Sequence, residues 1–390
     1  MCVLLDSILS AVPNCFSDLS PCAKGGQCDS RILDILMGPC RMRPRNWKPT
    51  SEHLDFLRKQ IRRFKRLGQP IHCLSMSGST KVFGFSKSPS PDIAEYFWML
   101  KLSEIKKMVQ SEFSQGIRFT VILEDLGRHY LSYSSTHETQ RRIDEYFGGL
   151  VKFAGLGQGS ISIQLESEIL ANQLISPEVC DKFGLTGTAS KDNFFLLADQ
   201  LKELFRQYWM DSNSDPESKK CLEYESYLDL NKIGFRGTIP TIQREYYLQR
   251  SNSCCDIELS PDENLERVLR YLGAAFARKL LGVVKPDVFD EEGPVSPIQV
   301  SFVPHAPGTP EFVQRNRIEQ LCYLRSKKSC RGVAPWAGYG AIDVTDRRYT
   351  IFSTREIENR HGEFQTLKLP HNSVDPHLCD LDVTAFVLNS

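Results

Sequence analysis

The chain has 390 residues, 41% hydrophobic and 25% charged, with 48 Lys plus Arg set against 48 Asp plus Glu. That balance suits a globular chain able to bury one large core or two ordinary ones. A net charge of zero gives no global field to hold a nucleic-acid backbone, although a local patch stays open.

No run approaches the roughly 20 apolar residues of a spanning helix, so no membrane contact is expected and the chain reads as soluble and cytoplasmic. The opening MCVLLDSILSAVPNC lacks a basic start and is interrupted by Asp6. It reads as an amphipathic segment rather than a signal peptide. The 13 cysteines are scattered from Cys2 to Cys379. An odd, scattered set suits a reducing compartment, where thiols are small apolar residues. Neither Cys22 with Cys28 nor the adjacent Cys254 and Cys255 has C-x-x-C spacing or a nearby His, so no metal site is expected.

The first 50 residues, rich in Cys, Gly and Pro, read as a surface segment with a short helix at Arg31 to Met37. Ser51 caps a longer helix whose Leu54, Leu57, Ile61 and Phe64 share one face and which Gly68 closes. Arg58, Lys59, Arg62, Arg63, Lys65 and Arg66 occupy the rest of its surface. They form either a solvated face or a contact patch for an anionic ligand or tRNA.

An apolar strand, IHCLSM, then leads into SGSTKVFG. Asp92 and Glu95 form the capping box of a following helix, Gln115-Gly116 ends it, and IRFTVILED is a second buried strand. A strand, turn, helix and strand in about 55 residues is a βαβ unit, which implies a parallel sheet and an α/β fold. Beyond it the chain turns helical through HETQRRIDEYFGGLVKFA, SPEVCDKFG and NFFLLADQLKELFRQYWM. An exposed loop, DSNSDPESKK, follows, and later the helix SPDENLERVLRYLGAAFARKLLG. PIQVSFVP reads as a strand, and the end alternates strands and turns.

Four places carry candidate chemistry. Ser75, Ser77, Gly78 and Lys81 lie in the turn after the first strand, where backbone N–H groups, hydroxyls and an amine suit a phosphate or carboxylate. The order of a P-loop is absent, and a Ser/Gly turn can equally be only a turn. Glu124 and Asp125, with Arg128 just beyond, end the second strand and read either as a cap and ion pair or as an amine-binding or basic group. His305 follows a strand end and reads either as a proton-transfer or binding group or as a structural histidine. Trp336 and Tyr339, among small residues, line a pocket or pack a core. No G-x-S-x-G elbow and no G-x-G-x-x-G is present. Gly155-Leu156-Gly157-Gln158-Gly159 leads into the alternating SISIQLE rather than a helix, so no dinucleotide cofactor is expected.

Several short motifs stand in a telling order: ILDIL, Pro70-Ile71, Lys81-Val82-x-Gly84, Pro91-Asp92-x-Ala94-Glu95, Glu124-Asp125 with Arg128, Phe235-Arg236-Gly237 with Glu245, and Pro335-Trp336. In order and spacing the chain resembles the isonitrile (isocyanide) synthases, grouped with dityrosine and pyoverdine-cluster biosynthesis proteins, over about residues 31 to 365. The resemblance implies a Rossmann-like, mostly parallel sheet flanked by helices, in one large domain with a helical insertion. Its boundaries would be 1–50 as surface segment, 51–365 as catalytic domain with a mainly helical 136–230, and 366–390 as a terminal strand and tail. It also implies conversion of an amino acid's amine to an isonitrile, with a sugar phosphate supplying the carbon. The expected roles follow. Lys81 and Arg236 bind phosphate or carboxylate, Asp125 holds the amine, His305 moves protons, and Trp336 and Tyr339 shape the side-chain pocket.

The family's early lysine is Ser75 here, and only an amine forms an imine with a sugar ketone. That departure admits a second resemblance, to the cyclodipeptide synthases, which hold an aminoacyl group from aminoacyl-tRNA on a serine just after the first strand. Ser75 or Ser77 stands there, and the basic helix would meet the tRNA. A third reading is a non-catalytic ligand-binding paralogue.

Overall fold

In a computed structural model of the chain, the described residues are 28–37, 51–77, 90–126, 136–214, part of 266–281, residues 295 and 297–301, and the elements named below between 317 and 388. Helix α1 (Cys28–Met37) packs beside α2 (Ser51–Arg66), which leads through Gly68, at φ +62°, into β1 (Ile71–Ser77). Leu57, Ile61 and Phe64 of α2 are buried, as their helical spacing requires.

Helix α3 (Ile93–Glu112) follows, capped as the sequence predicts: Asp92 accepts from Ala94 N–H and Glu95 reaches back to Asp92 N–H. Gly116, at φ +68°, reverses the chain into β2 (Ile117–Leu123). Helix α4 (Thr136–Ala154) and a 3-10 turn at Gly155–Gly157 bring it to β3 (Ile161–Leu165). This strand is the SISIQLE stretch, and it lies inside the region expected to be mainly helical. Then come α5 (Glu166–Ala171), α6 (Pro177–Phe183), α7 (Lys191–Ser214) and α8, the helical residues within 266–280. Strands β4 (Ile298–Ser301) and β5 (Arg317–Glu319) complete the main sheet.

The sheet order is β3-β2-β1-β4-β5 with every pairing parallel, so the expected α/β architecture is the one observed. Two helix layers explain why β2 is buried almost throughout. Its Ile117, Phe119, Val121 and Leu123 enter a core with Leu57 of α2, Trp98 of α3 and Tyr146 of α4. Ile122, on the opposite face, enters a second core with Phe194 and Phe205 of α7 and Phe276 of α8. Full burial of each such side chain stabilises by about 1.5–3 kcal/mol, which outweighs the polar helix surfaces left in water. Because α3 and α4 lie on one face and α5 to α8 on the other, the strand order reverses between β1 and β4.

The late strands form their own layer. Strands β8 (Gly338–Asp343), β9 (Arg348–Ser353), β10 (Phe364–Leu369) and β11 (Val383–Leu388) make a mixed sheet of order β10-β11-β8-β9. Between the sheets in sequence, β6 (Leu324–Arg325) and β7 (Gly332–Val333) form a small antiparallel pair. Strands β8 and β11 of the late sheet pack on α3, and one tie is a buried hydrogen bond: Gly340 N–H donates to Asp92 Oδ2 at 3.0 Å. Next to it Tyr146 Oη donates to Glu95 Oε1 at 2.7 Å. A Cβ at Gly149 of α4 would lie 2.4 Å from Pro91 Cδ, so glycine is what lets α4 approach the start of α3. The motif Pro91-Asp92-x-Ala94-Glu95 is thus a joint between three elements.

Candidate active site

In an open parallel sheet, ligands bind outside the carboxyl ends of the strands where the order reverses. Here that point lies beyond Ser77 of β1 and Ser301 of β4, neighbours in the sheet with Ser75 level with Val300. Ser75 and Ser77, expected in the turn after the first strand, belong to β1 itself, paired with Val121 and Leu123 of β2, and Ser77 is its last residue at the reversal. Gly78, Lys81, Arg128, Arg236, His305 and Trp336 lie outside the described residues, and Tyr339 is placed by its backbone on β8.

Glu124 and Asp125 are fully placed, directly after β2. Asp125 is buried, and its Oδ1 accepts the Ser167 N–H at 3.0 Å. Since Ser167 is in the first turn of α5, this carboxylate holds the start of that helix and favours its dipole. Glu124 is the more open of the two, with its side chain 17% exposed. Its Oε1 lies 3.4 Å from a terminal nitrogen of Arg278.

Arg278 and Glu166 are the two residues that reading the sequence missed. Glu166 directly follows β3 and is completely buried; Arg278 reaches it from α8. The guanidinium donates to both Glu166 oxygens, through Nε to Oε1 and through a terminal nitrogen to Oε2 at 3.3 Å. Such forked pairing is the strong form of the interaction. Burial pushes the Glu166 carboxyl above the usual carboxylate range. The charge and hydrogen bonds of Arg278 oppose that rise, while Glu124 and Asp125 reinforce it. One guanidinium thus faces two carboxylates, Glu166 and Glu124, and the charge of Asp125 also acts on Glu166, at the carboxyl ends of β2 and β3; an excess of negative charge there suits a cationic group such as an amine. The available signal in the sequence was only Glu166 at a strand end; nothing in the spacing links it to Arg278, 112 residues away.

Among the described residues no group of three or more His, Cys, Asp and Glu is placed to hold a metal ion, and no helix is long and apolar enough to cross a membrane. A groove beside α5, lined by Gln164, Glu168, Asn172 and Leu174, contains none of these charged residues. The basic run on α2 is largely engaged within the chain. Arg62 and Lys65 each pair with Asp29 at 2.8 Å, Arg58 pairs with Asp55, and Arg63 is buried. Burial works against the Asp29 charge, but the two cations outweigh it and hold the carboxyl below its usual range.

The order β3-β2-β1-β4-β5 with helices on both faces and charged residues at the carboxyl edge defines a doubly wound α/β protein. Among solved structures, the chain is similar to the crystal structure of the PvcA protein from Pseudomonas aeruginosa, with a TM-score of 0.56 and 13% identity. The likeness covers 93% of this chain and 100% of that one, and it shows a shared fold. No protein-family model and no curated protein sequence matches the chain.

Proposed function

We propose that the protein is a biosynthetic enzyme that modifies an amino acid, converting its amine to an isonitrile or N-formyl group with a sugar phosphate as carbon donor. The observation that carries this reading is the placement of Glu124 beside the buried Arg278–Glu166 pair at the carboxyl edge of the parallel sheet. A partly open carboxylate among buried charges is suited to holding a substrate ammonium. Asp125 serves the same end differently from the expectation: it fixes α5, and Glu124 takes the amine. Lys81 and Arg236 bind phosphate or carboxylate, His305 moves protons, and Trp336 and Tyr339 shape the side-chain pocket. The ordered motifs that resemble the isonitrile synthases and the fold likeness to PvcA support the same reading.

The test is expression in a heterologous host with metabolite profiling. An isonitrile, identified by its infrared stretch, is the expected product, and Glu124→Gln is expected to abolish it. A cyclic dipeptide whose formation in lysate disappears with RNase would instead establish aminoacyl-tRNA as substrate and Ser75 or Ser77 as the acceptor. No new metabolite from a folded, soluble protein would favour a non-catalytic ligand binder.

A further inference from the structure

The Arg278–Glu166 pair joins elements that the chain order keeps far apart. Glu166 is the first residue after β3, and Arg278 comes from α8, on the second helix layer. Their side chains are 0% and 9% exposed. The guanidinium faces Glu166 through Nε and one terminal nitrogen, and its other terminal nitrogen faces Glu124. A planar guanidinium held by two bonds to a buried carboxylate is restricted in rotation, so its remaining terminal nitrogen is held in place. That nitrogen lies 3.4 Å from Glu124 Oε1.

We infer that Arg278 and Glu166 are positioning residues: Glu166 aims the Arg278 guanidinium, and Arg278 fixes the Glu124 carboxylate at the carboxyl end of β2. For catalysis the inference rests on Glu124 binding the substrate amine; for the geometry of Glu124 it does not. Stability alone is a poor reason for such a pair. Two buried charges are expensive to desolvate, and two well-packed apolar residues of similar volume serve a core as well or better. Helix α8 is also held by apolar contacts, with Leu269, Ala274, Phe276 and Ala277 buried in the second core, and by Glu266, which pairs with Lys202 and Arg206 of α7. The pair adds direction where the core supplies cohesion.

The decisive variants are the double substitution Glu166→Met/Arg278→Met, which replaces both charges with apolar side chains of similar length, and Arg278→Lys, which keeps the charge and removes the fork. The first measurement needs no activity. Carboxyl groups of the folded proteins are labelled with a water-soluble carbodiimide and glycine ethyl ester, and the modified residues are located by mass spectrometry. Labelling of Glu124 is expected to rise several-fold in the double variant and to an intermediate level in Arg278→Lys. Asp55, an exposed carboxylate on α2, should label equally in all three proteins. Unchanged Glu124 labelling in folded variants overturns the inference. If the double variant does not fold, Arg278→Lys decides it in the same way.

The second measurement is kinetic. Loss of aim should raise KM for the amino acid by roughly tenfold or more, with a smaller change in kcat. A purely structural role would lower the amount of active enzyme and leave KM alone, and that result also overturns the inference. If the wild-type protein makes no product, the proposed function has failed, and the labelling result still decides whether Arg278 holds Glu124.

Discussion

Two buried polar joints lie toward the carboxyl edge of the same parallel sheet, one at the start of α3 and one after β2 and β3, and they are built on different principles. At the start of α3, the carboxylates of Asp92 and Glu95 accept from neutral donors: the N–H groups of Asp92, Ala94 and Gly340 and the hydroxyl of Tyr146. At the ends of β2 and β3, the carboxylates of Glu166 and Glu124 face one guanidinium, and Glu166 is pushed above its usual range chiefly by burial. The first joint matches every acceptor to a donor fixed by the backbone or a helix, which is how a fold closes itself. The second concentrates charge in a dry place, which costs stability and is worth keeping where a charged ligand must be held. The same residue types, Asp and Glu beside a helix start, therefore have opposite meanings according to what donates to them.

The contrast breaks most readily at Arg278. Arg278→Ala leaves Glu166 buried with no cation, and the expected loss is about 3–5 kcal/mol in denaturant unfolding. A loss under about 1 kcal/mol would show that water already screens the pair. The Asp92 joint comes next. Asp92→Ala removes the cap of α3 and strands the buried Gly340 N–H, with an expected loss of about 2–4 kcal/mol. Asp92→Asn keeps one of the two acceptors and sets an NH2 group against the other N–H, so it should recover only part of the loss. Full recovery in Asn would show that one of the two bonds carries the joint.

These two joints also show what can be read from sequence. The capping box at Asp92 and Glu95 was legible because its partners lie within one helical turn, where spacing dictates geometry. The βαβ unit was legible for a similar reason: IHCLSM and IRFTVIL are short apolar runs around an amphipathic helix. Glu124 and Asp125 were found because a strand end is visible as the point where hydrophobicity stops. The third strand was harder. ISIQL is only half-buried at the sheet edge, so its pattern is weak, and it sits among helices. Arg278 could not be found at all, since its partner is 112 residues away and its local setting, FARKL, is that of any amphipathic helix. The tie from Gly340 to Asp92 is equally silent, being made by a backbone N–H.

A milder substitution sharpens the first joint. Tyr146→Phe deletes only the hydroxyl that donates to Glu95, inside a side chain that is otherwise fully buried. The ring stays in the core, so the cost is that of one hydrogen bond to a carboxylate acceptor, about 1.5–3 kcal/mol. The loss should be seen equally by thermal and denaturant unfolding. A negligible loss would mean that Asp92 N–H alone is enough to satisfy Glu95.

The smallest effect separates the joints by pH. Because the Glu166 carboxyl is raised in the folded state, the folded protein binds a proton more tightly there than the unfolded chain does. Its contribution is fully present below the ordinary carboxylate value of 4.5 and is lost as pH rises through the raised value. Glu166→Gln removes that dependence while keeping the shape. The stability of Glu166→Gln relative to wild type should therefore improve as pH is raised from about 4.5, with a slope no steeper than about 1.4 kcal/mol per pH unit. Parallel stability curves for wild type and Glu166→Gln would mean that Arg278 fully offsets burial at Glu166, and the two joints would then be electrostatically alike.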